Sequence, residues 1–481
     1  MESKKVWIGG QWIHSESEKT FPILNPSTGE ELGRVPLCNE NDVDKAVKAA
    51  ATAFKTWSKT LPSERAKVLN RLTIGIREMA DELVNLEVSE HGTPVRVARN
   101  LVEDAIFIAE YTTSISRSLM GDVIPAIHNT LSYLQRVPIG VCASIMPWNG
   151  PLLGMVLMSV PALATGNTCI LKPPSINSLL GIKFAEIFEK IGLPPGTVNV
   201  VTGPGGKVGR ALSTHPQVDL IRFTGSSETG KAIMSAAGPT VKKLVMELGG
   251  NNPVLVLEDA DIDKAVTSHA LRHYGNCAQN CSTPGRYYVH EKIYDEFVDK
   301  FVGEVRKIIV GDPWDEKTMM GPMTNPQQRD RVEYLIQSAL KEGAHIAFGG
   351  HRPTTPPLDR GYYLLPTVVA DVTHDMTIAK EEIFGPAACI LKFSSEEDVV
   401  EMANDSPYGL CATVWTKDMA KGMRLIDELQ VDSAYLNMPR TIAFELPWGG
   451  NVKESGLGKD GSMCGLEEFT NLKLVCVDYS T

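Results

Sequence analysis

Short, mostly apolar, β-rich runs alternate with helical stretches through the middle of the chain. Residues 141–145, 168–171, 198–201, 220–223, 244–246 and 254–257 read as strands. Helices are predicted over 152–164, 179–190 and 228–236, with a shorter one near 206–212. These strands lack the in–out alternation of a half-exposed sheet. Both faces must therefore be covered, which is the signature of a parallel sheet built from strand–helix–strand units. Ligands of such sheets collect at the carboxyl ends of strands. Four turns follow as places to search: 147–150, 172–175, 224–227 and 247–251.

A second α/β block begins near Asp261, with helical runs at 262–274 and 293–309 and a strand at 287–290. A Pro-rich stretch, 352–359, reads as an exposed connection. Segments 131–137 and 472–477 alternate apolar and polar residues and read as edge strands. Spacing alone leaves open a hairpin, a free edge or pairing with another subunit. No charge occurs between Arg136 and Lys172, long enough to suggest a membrane span. The stretch is broken at Pro147-Trp148-Asn149-Gly150-Pro151, at Pro161 and at Gly166-Asn167, so a buried strand, turn, helix and strand are expected instead.

The 481 residues suggest roughly three domains. A formal charge of −11 argues against a nucleic-acid or anionic-membrane binder, yet leaves room for a local basic pocket holding a phosphorylated cofactor. The nine cysteines are odd in number and show no disulfide framework, and no apolar leader follows Met1. A reduced, cytoplasmic setting is expected.

Three patterns mislead. Gly225 to Ala232 nearly matches a phosphate-binding P-loop, but Ala232 stands where Ser or Thr should hold Mg²⁺, and Glu228 would face the phosphates. A turn whose helix N-terminus meets a pyrophosphate is still compatible. Gly203 to Gly209 is glycine-rich but does not fit G-x-G-x-x-G. His273, Cys277 and Cys281 recur every four residues and could share a helical face, but no fourth ligand lies nearby in sequence, so no metal is expected. A Cys277–Cys281 disulfide under oxidation fits that spacing better.

Taken singly, Asn149 is a turn residue, Glu247 a solvated strand end and Cys281 a buried thiol. Together they sit in an ordered series: Pro147-Trp148-Asn149, Phe223-Thr224-Gly225-Ser226, Glu247-Leu248-Gly249-Gly250, Cys281, Glu382-Ile383-Phe384-Gly385-Pro386, Pro447-Trp448-Gly449-Gly450 and Ser455-Gly456-Leu457-Gly458. In order and spacing this series resembles the aldehyde dehydrogenase superfamily from about residue 6 to 475. The resemblance implies an α/β fold with a parallel doubly wound dinucleotide-binding domain (1–118 and 139–249), an α/β catalytic domain (250–460) and a small β oligomerisation arm (119–138 and 461–481). It also implies a homodimer or homotetramer and a small-molecule aldehyde as substrate.

The implied chemistry is coherent. A thiolate adding to an aldehyde gives a thiohemiacetal whose oxyanion can expel hydride, and the remaining thioester then needs water. The resemblance makes Cys281 the nucleophile, Asn149 an oxyanion donor and Glu247 the general base. It gives Lys172 to the adenosine ribose, Gly225 and Ser226 to the pyrophosphate turn, Glu382 to the nicotinamide ribose, and Trp148 and Phe384 to the cofactor's surroundings. NAD-preferring relatives often carry Glu where this chain has Ser175, so the cofactor is NAD or NADP, with a lean to NADP. Gly150 and Leu157 replace larger residues and would widen the substrate tunnel toward Trp448, suiting a bulky or aromatic aldehyde unless other side chains refill the space. Arg440 could meet the carboxylate of a semialdehyde, although a surface or salt-bridged role is the plainer expectation. Asn451 adds one residue to the last loop. Glu247 argues against a CoA-acylating relative, and the intact trio argues against a scaffold without turnover. Hydrolysis of activated esters by Cys281 is an expected side activity.

Overall fold

The computed structural model describes residues 5–441 and 443–480. A six-stranded sheet carries the alternating segments in the order Gly456–Leu457, Lys243–Glu247, Leu220–Thr224, Val141–Ile145, Thr168–Lys172, Val198–Val200. All neighbours run parallel except Gly456–Leu457, which pairs antiparallel with Met246 and Glu247. The order reverses at Val141–Ile145, which lies between Thr168–Lys172 and Leu220–Thr224. A crevice opens outside the carboxyl ends at such a reversal, and here the turns after residues 145 and 224 flank it.

A seven-stranded sheet follows, in the order His345–Phe348, Thr367–Val372, Ala387–Phe393, Pro284–His290, Asn252–Val256, Cys411–Trp415, Ser433–Leu436. Only its first strand is antiparallel to its neighbour. Strand Lys243–Glu247 ends the first sheet's run and Asn252–Val256 begins a strand of the second. The carboxyl edge of one sheet therefore meets the amino edge of the other within five residues. Turns that follow strands in the first sheet face turns that precede strands in the second. Cys281 lies just before Pro284–His290, and Glu382 just before Ala387–Phe393.

Each sheet has its own apolar core. Leu171, Phe184, Ile221 and Val245 fill one, and Tyr287, Phe297, Phe301 and Val414 the other. Burying each such side chain contributes about 1.5–3 kcal/mol. The uncharged stretch behaves as its breaks predict: strand Val141–Ile145 is buried throughout, and helix Pro151–Ala164 is buried on nearly every side. Among the described residues no helix is long and apolar enough to cross a membrane.

Two buried carboxylates on one π-helical turn, Glu87–His91, hold the site's helices in place. Glu87 Oε1 accepts the Leu152 N–H at 2.9 Å, and Glu90 accepts those of Leu179 and Leu180 at 3.0 Å each. Unpaired N–H groups and the positive end of the dipole make helix starts natural partners for carboxylates. Burial pushes Glu87 up to about 7. Glu87 thereby fixes the helix that begins two residues after Asn149.

The structure corrects several boundaries. The short helix expected at 206–212 starts earlier, as a π-helical turn over Gly205–Gly209, and continues as Arg210–Thr214. The run at 293–309 is helical only over Tyr294–Val305 after a 3-10 turn. The two edge segments pair with each other, Thr130–Pro138 against Thr470–Asp478, in an unbroken nine-rung antiparallel ladder. Strand Gly456–Leu457 joins the first sheet, and Leu466 and Phe469 enter the first core.

Candidate active site

Glu247 closes its strand, and Gly249-Gly250 carry the chain across to the second sheet. A Cβ on Gly250 would lie 2.4 Å from the Cys281 carbonyl oxygen, so this approach requires glycine. Asn252 fastens the loop from the other side. Its Nδ2 donates to the carbonyls of Cys281 and Thr283, both at 2.8 Å, and its Oδ1 accepts the Cys411 N–H at 3.1 Å.

Asn149 reaches the same loop from the first sheet. Its Nδ2 donates to the Gln279 carbonyl at 2.9 Å, while Asn276 Nδ2 donates back to the Asn149 carbonyl at 2.8 Å. Gln279 is anchored in turn by the Asn276 carbonyl and the Thr324 N–H, each at 3.1 Å. Within this web Asn276, Cys277 and Ala278 all take the left-handed conformation, with φ of +53° to +55°. Each such residue costs on the order of 1–3 kcal/mol and persists only where its surroundings over-determine it.

That bend removes the helical face expected for His273, Cys277 and Cys281. The helix ends at His273, whose Nδ1 lies 3.1 Å from the Tyr287 hydroxyl. Cys277 points its thiol at the carbonyls of Gly321 and Pro322, at 3.2 and 3.3 Å. Both cysteines are free thiols, and no cluster of three metal-ligating side chains occurs among the described residues.

Cys281 is half-buried and donates its S–H to Asn280 Oδ1 at 3.6 Å. Packing around the sulfur pushes the thiol up to about 12, against the pull of the Arg440 cation. Glu247 is buried, and its Oε1 has no hydrogen-bond partner. Burial holds its carboxyl well above the usual range, with the Asp460 carboxylate adding to the shift and Arg222 opposing it. Arg222 is itself buried and paired with Asp460. Burial thus favours the neutral thiol of Cys281 and the protonated carboxyl of Glu247.

On the other side of the crevice, Lys172 is buried with a single carbonyl acceptor, that of Pro173 at 3.0 Å, and burial lowers it to about 8. Ser175 donates to the Gly203 carbonyl at 3.1 Å. Ser226 is exposed and caps helix Ser227–Ala237 by accepting the Thr229 N–H. The Gly225 N–H donates to the Glu247 carbonyl at 3.1 Å, which ties this turn to the strand beside it. Glu382 Oε1 accepts the Gly250 N–H at 2.9 Å, and burial raises its carboxyl to about 7. Trp148 and Phe384 meet edge to face at 5.3 Å.

Hydrogen bonds thus tie Asn149 and Glu382 to the segments that carry Cys281 and follow Glu247, respectively, while Lys172, Ser175 and Ser226 end or follow the two strands on either side of Val141–Ile145. A Cβ at Gly150 would meet nothing within 4 Å. The room beside Leu157 is different. Phe444 packs on Trp448 at 5.6 Å and on Phe107 at 6.2 Å, leaving a cavity of about 20 Å³ lined by Leu157 and Trp448. Sequence reasoning overlooked Asn252, Phe444 and the Arg222–Asp460 pair. Asn252, two residues past the paired glycines, opens an apolar strand, and none of these residues carried a local signal.

Comparison with known proteins bears on this arrangement. The sequence model of the aldehyde dehydrogenase family matches residues 12–475. Betaine aldehyde dehydrogenase of Bacillus subtilis is 38% identical over 476 residues, which cover 98% of this chain and 97% of that protein. The chloroplastic betaine aldehyde dehydrogenase of Beta vulgaris is 36% identical over 487 residues, covering 99% and 97%. Among solved structures, betaine aldehyde dehydrogenase of Staphylococcus aureus in complex with NAD+ superimposes with a TM-score of 0.96 at 34% identity, covering all of this chain and 96% of that one. The order of strands, the loop around Cys281 and similarity along nearly the whole length agree: the chain belongs to the aldehyde dehydrogenase family, the dinucleotide-dependent oxidoreductases of aldehydes.

Proposed function

We propose that the protein oxidises an aldehyde to the free carboxylic acid, with NAD(P)+ as hydride acceptor and Cys281, Asn149 and Glu247 as the reacting trio. The observation that carries this reading is the Asn149 amide donating into the loop two residues before Cys281. It sets a polarising amide beside a nucleophile from a different sheet.

The Cys281 thiol passes its proton to solvent, and the thiolate adds sulfur to the carbonyl carbon as the C=O π pair moves onto oxygen. Charge then develops on the carbonyl oxygen, where the Asn149 amide and the Cys281 backbone N–H stabilise it; one such donor is worth about 2.7–4 kcal/mol. The bound dinucleotide supplies the hydride acceptor. Cys281 is left as a thioester, Glu247 takes a proton from water, and the resulting hydroxide displaces the sulfur. Because burial favours the protonated carboxyl, Glu247 must ionise before it acts, so this half of the reaction quickens as pH rises.

The residues present fit a dinucleotide. Lys172 has donors to spare for ribose hydroxyls, the helix start at Ser226 suits a pyrophosphate, and the buried Glu382 carboxylate can accept from a second ribose. Ser175 presents a hydroxyl where a carboxylate would repel a 2′-phosphate, which supports NADP as the better cofactor. Division into dinucleotide-binding, catalytic and arm units is part of the same reading. So is a homo-oligomer, since the arm leaves Leu472 and Leu474 more than half exposed.

Purified protein mixed with aldehydes and either dinucleotide should form reduced nicotinamide without CoA, and Cys281→Ala should form none. A rate that depends on CoA would replace hydrolysis by acyl transfer. Direct titration of both dinucleotides, repeated with Ser175→Glu, tests the cofactor: the variant should lose NADP binding and keep NAD.

A further inference from the structure

A cavity of about 460 Å³ runs alongside the Cys281 loop, walled by Asn280, Ser282 and Thr283 on one side and by Arg440 on the other. Arg272 also lines it, and none of its lining residues is Asp or Glu. That is unusual in a chain with eleven more acidic than basic side chains. The histidines in its wall, His269 and His273, are held neutral by burial, at about 3 and about 4. The wall therefore carries two cationic side chains and no carboxylate.

Arg440 is half-buried, and among the described residues no carboxylate forms an ion pair with it. Among the described residues its one hydrogen bond is Nη1 to Ser282 Oγ at 2.6 Å, and Ser282 in turn donates to Asn280 Oδ1 at 3.0 Å. The guanidinium is thus fixed in direction with most of its donors unused. A guanidinium presents a planar fork that matches a carboxylate, and partly buried cations are ordinarily paired. Arg440 thus keeps part of its surface exposed but, among the described residues, lacks the salt bridge that is the other plain expectation.

We propose that Arg440, oriented by Ser282, is a specificity-determining residue that binds a carboxylate carried by the aldehyde substrate, so that the preferred substrates are semialdehydes. The inference rests on the aldehyde-oxidising reading above and narrows its substrate class. The same charge disfavours cationic aldehydes.

The test compares aldehydes in matched pairs: succinic semialdehyde with butanal, and 4-carboxybenzaldehyde with benzaldehyde, with a trimethylammonium aldehyde as the opposite charge. The readout is the ratio of kcat/KM for the carboxylated member to that of its uncharged twin, which cancels any effect common to both. The native protein should favour the carboxylated member by about tenfold or more, chiefly through KM, the size of one charge-assisted hydrogen bond. Arg440→Gln should bring the ratio to about one, Arg440→Lys should retain part of it, and Ser282→Ala should weaken it. Succinate should bind the native protein in calorimetry and compete with succinic semialdehyde. A native ratio near one, or a ratio unchanged in Arg440→Gln, overturns the subsite. So does succinate or inorganic phosphate binding without any aldehyde preference, which would mark a free-anion site. If no aldehyde of any charge reduces a dinucleotide, the underlying reading fails instead.

Discussion

Asn149→Ala separates a structural from a chemical role for the amide that joins the two sheets. The substitution removes two N–H donors and one acceptor. One donor holds the Gln279 carbonyl at 2.9 Å, and losing a neutral hydrogen bond of this kind costs about 0.5–1.5 kcal/mol. The backbone carbonyl that accepts from Asn276 survives the change, so the loop keeps that second tie. If the amide also stabilises the oxyanion, a further ~2.7–4 kcal/mol is lost, but only in the transition state. At about 1.36 kcal/mol per decade, loop loosening alone predicts a drop of roughly tenfold or less, and the combined roles predict about 200-fold to 10,000-fold. The assay is the pre-steady-state burst of reduced nicotinamide, run beside the rate at which iodoacetamide alkylates Cys281. Alkylation passes through no oxyanion, so it reports the loop alone. The burst should slow by at least about 200-fold while alkylation changes by roughly tenfold or less. Parallel losses in both rates, or a burst within tenfold of the native protein's, would refute the oxyanion role.

Glu247→Gln should keep the burst within about threefold and slow steady turnover by about 100-fold or more, which stopped-flow absorbance resolves in one trace. Because burial places Glu382 near 7 and only its carboxylate accepts from a ribose hydroxyl, dinucleotide affinity should tighten as pH rises through that value; fluorescence titration of Glu382→Gln should show a flatter profile. Leu472→Asp combined with Leu474→Asp puts charge on the exposed arm and should reduce the mass measured by light scattering to that of one chain, 52.5 kDa. An unchanged mass in that variant removes the arm from the subunit interface.

The strands of the first sheet were legible because each is a short, mostly apolar run between helical stretches, and the strand ends and the turns after them hold Asn149, Lys172, Gly225 and Glu247. Residues whose roles depend on the other sheet were not legible. Asn252 sits in an apolar strand pattern, and only its contacts with Cys281 and Thr283 show why an amide is needed there. Glu87 and Glu90 look like the solvated face of a helix, yet a π-turn directs both inward to helix starts far along the chain. The spacing of His273, Cys277 and Cys281 suggested one helical face because periodicity says nothing of three successive left-handed residues. Phe444 fills the space beside Leu157 from a loop whose sequence carries no periodic signal at all.

Beside the ladder of Thr130–Pro138 with Thr470–Asp478, Arg136 Nη1 donates to Thr470 Oγ1 across 334 positions of sequence, and the strand bearing Glu247 gains its outer neighbour from Gly456 and Leu457. A ribosome adding about 5–20 residues per second needs roughly 20 s to a minute to cover that distance. Until the C-terminal segments emerge, the nascent polypeptide displays an unpaired edge beside Glu247 and a lone strand awaiting its mate. Truncations that remove Gly456–Leu457 or Thr470–Asp478 should therefore yield aggregates rather than weak enzymes, which light scattering of the truncated protein checks.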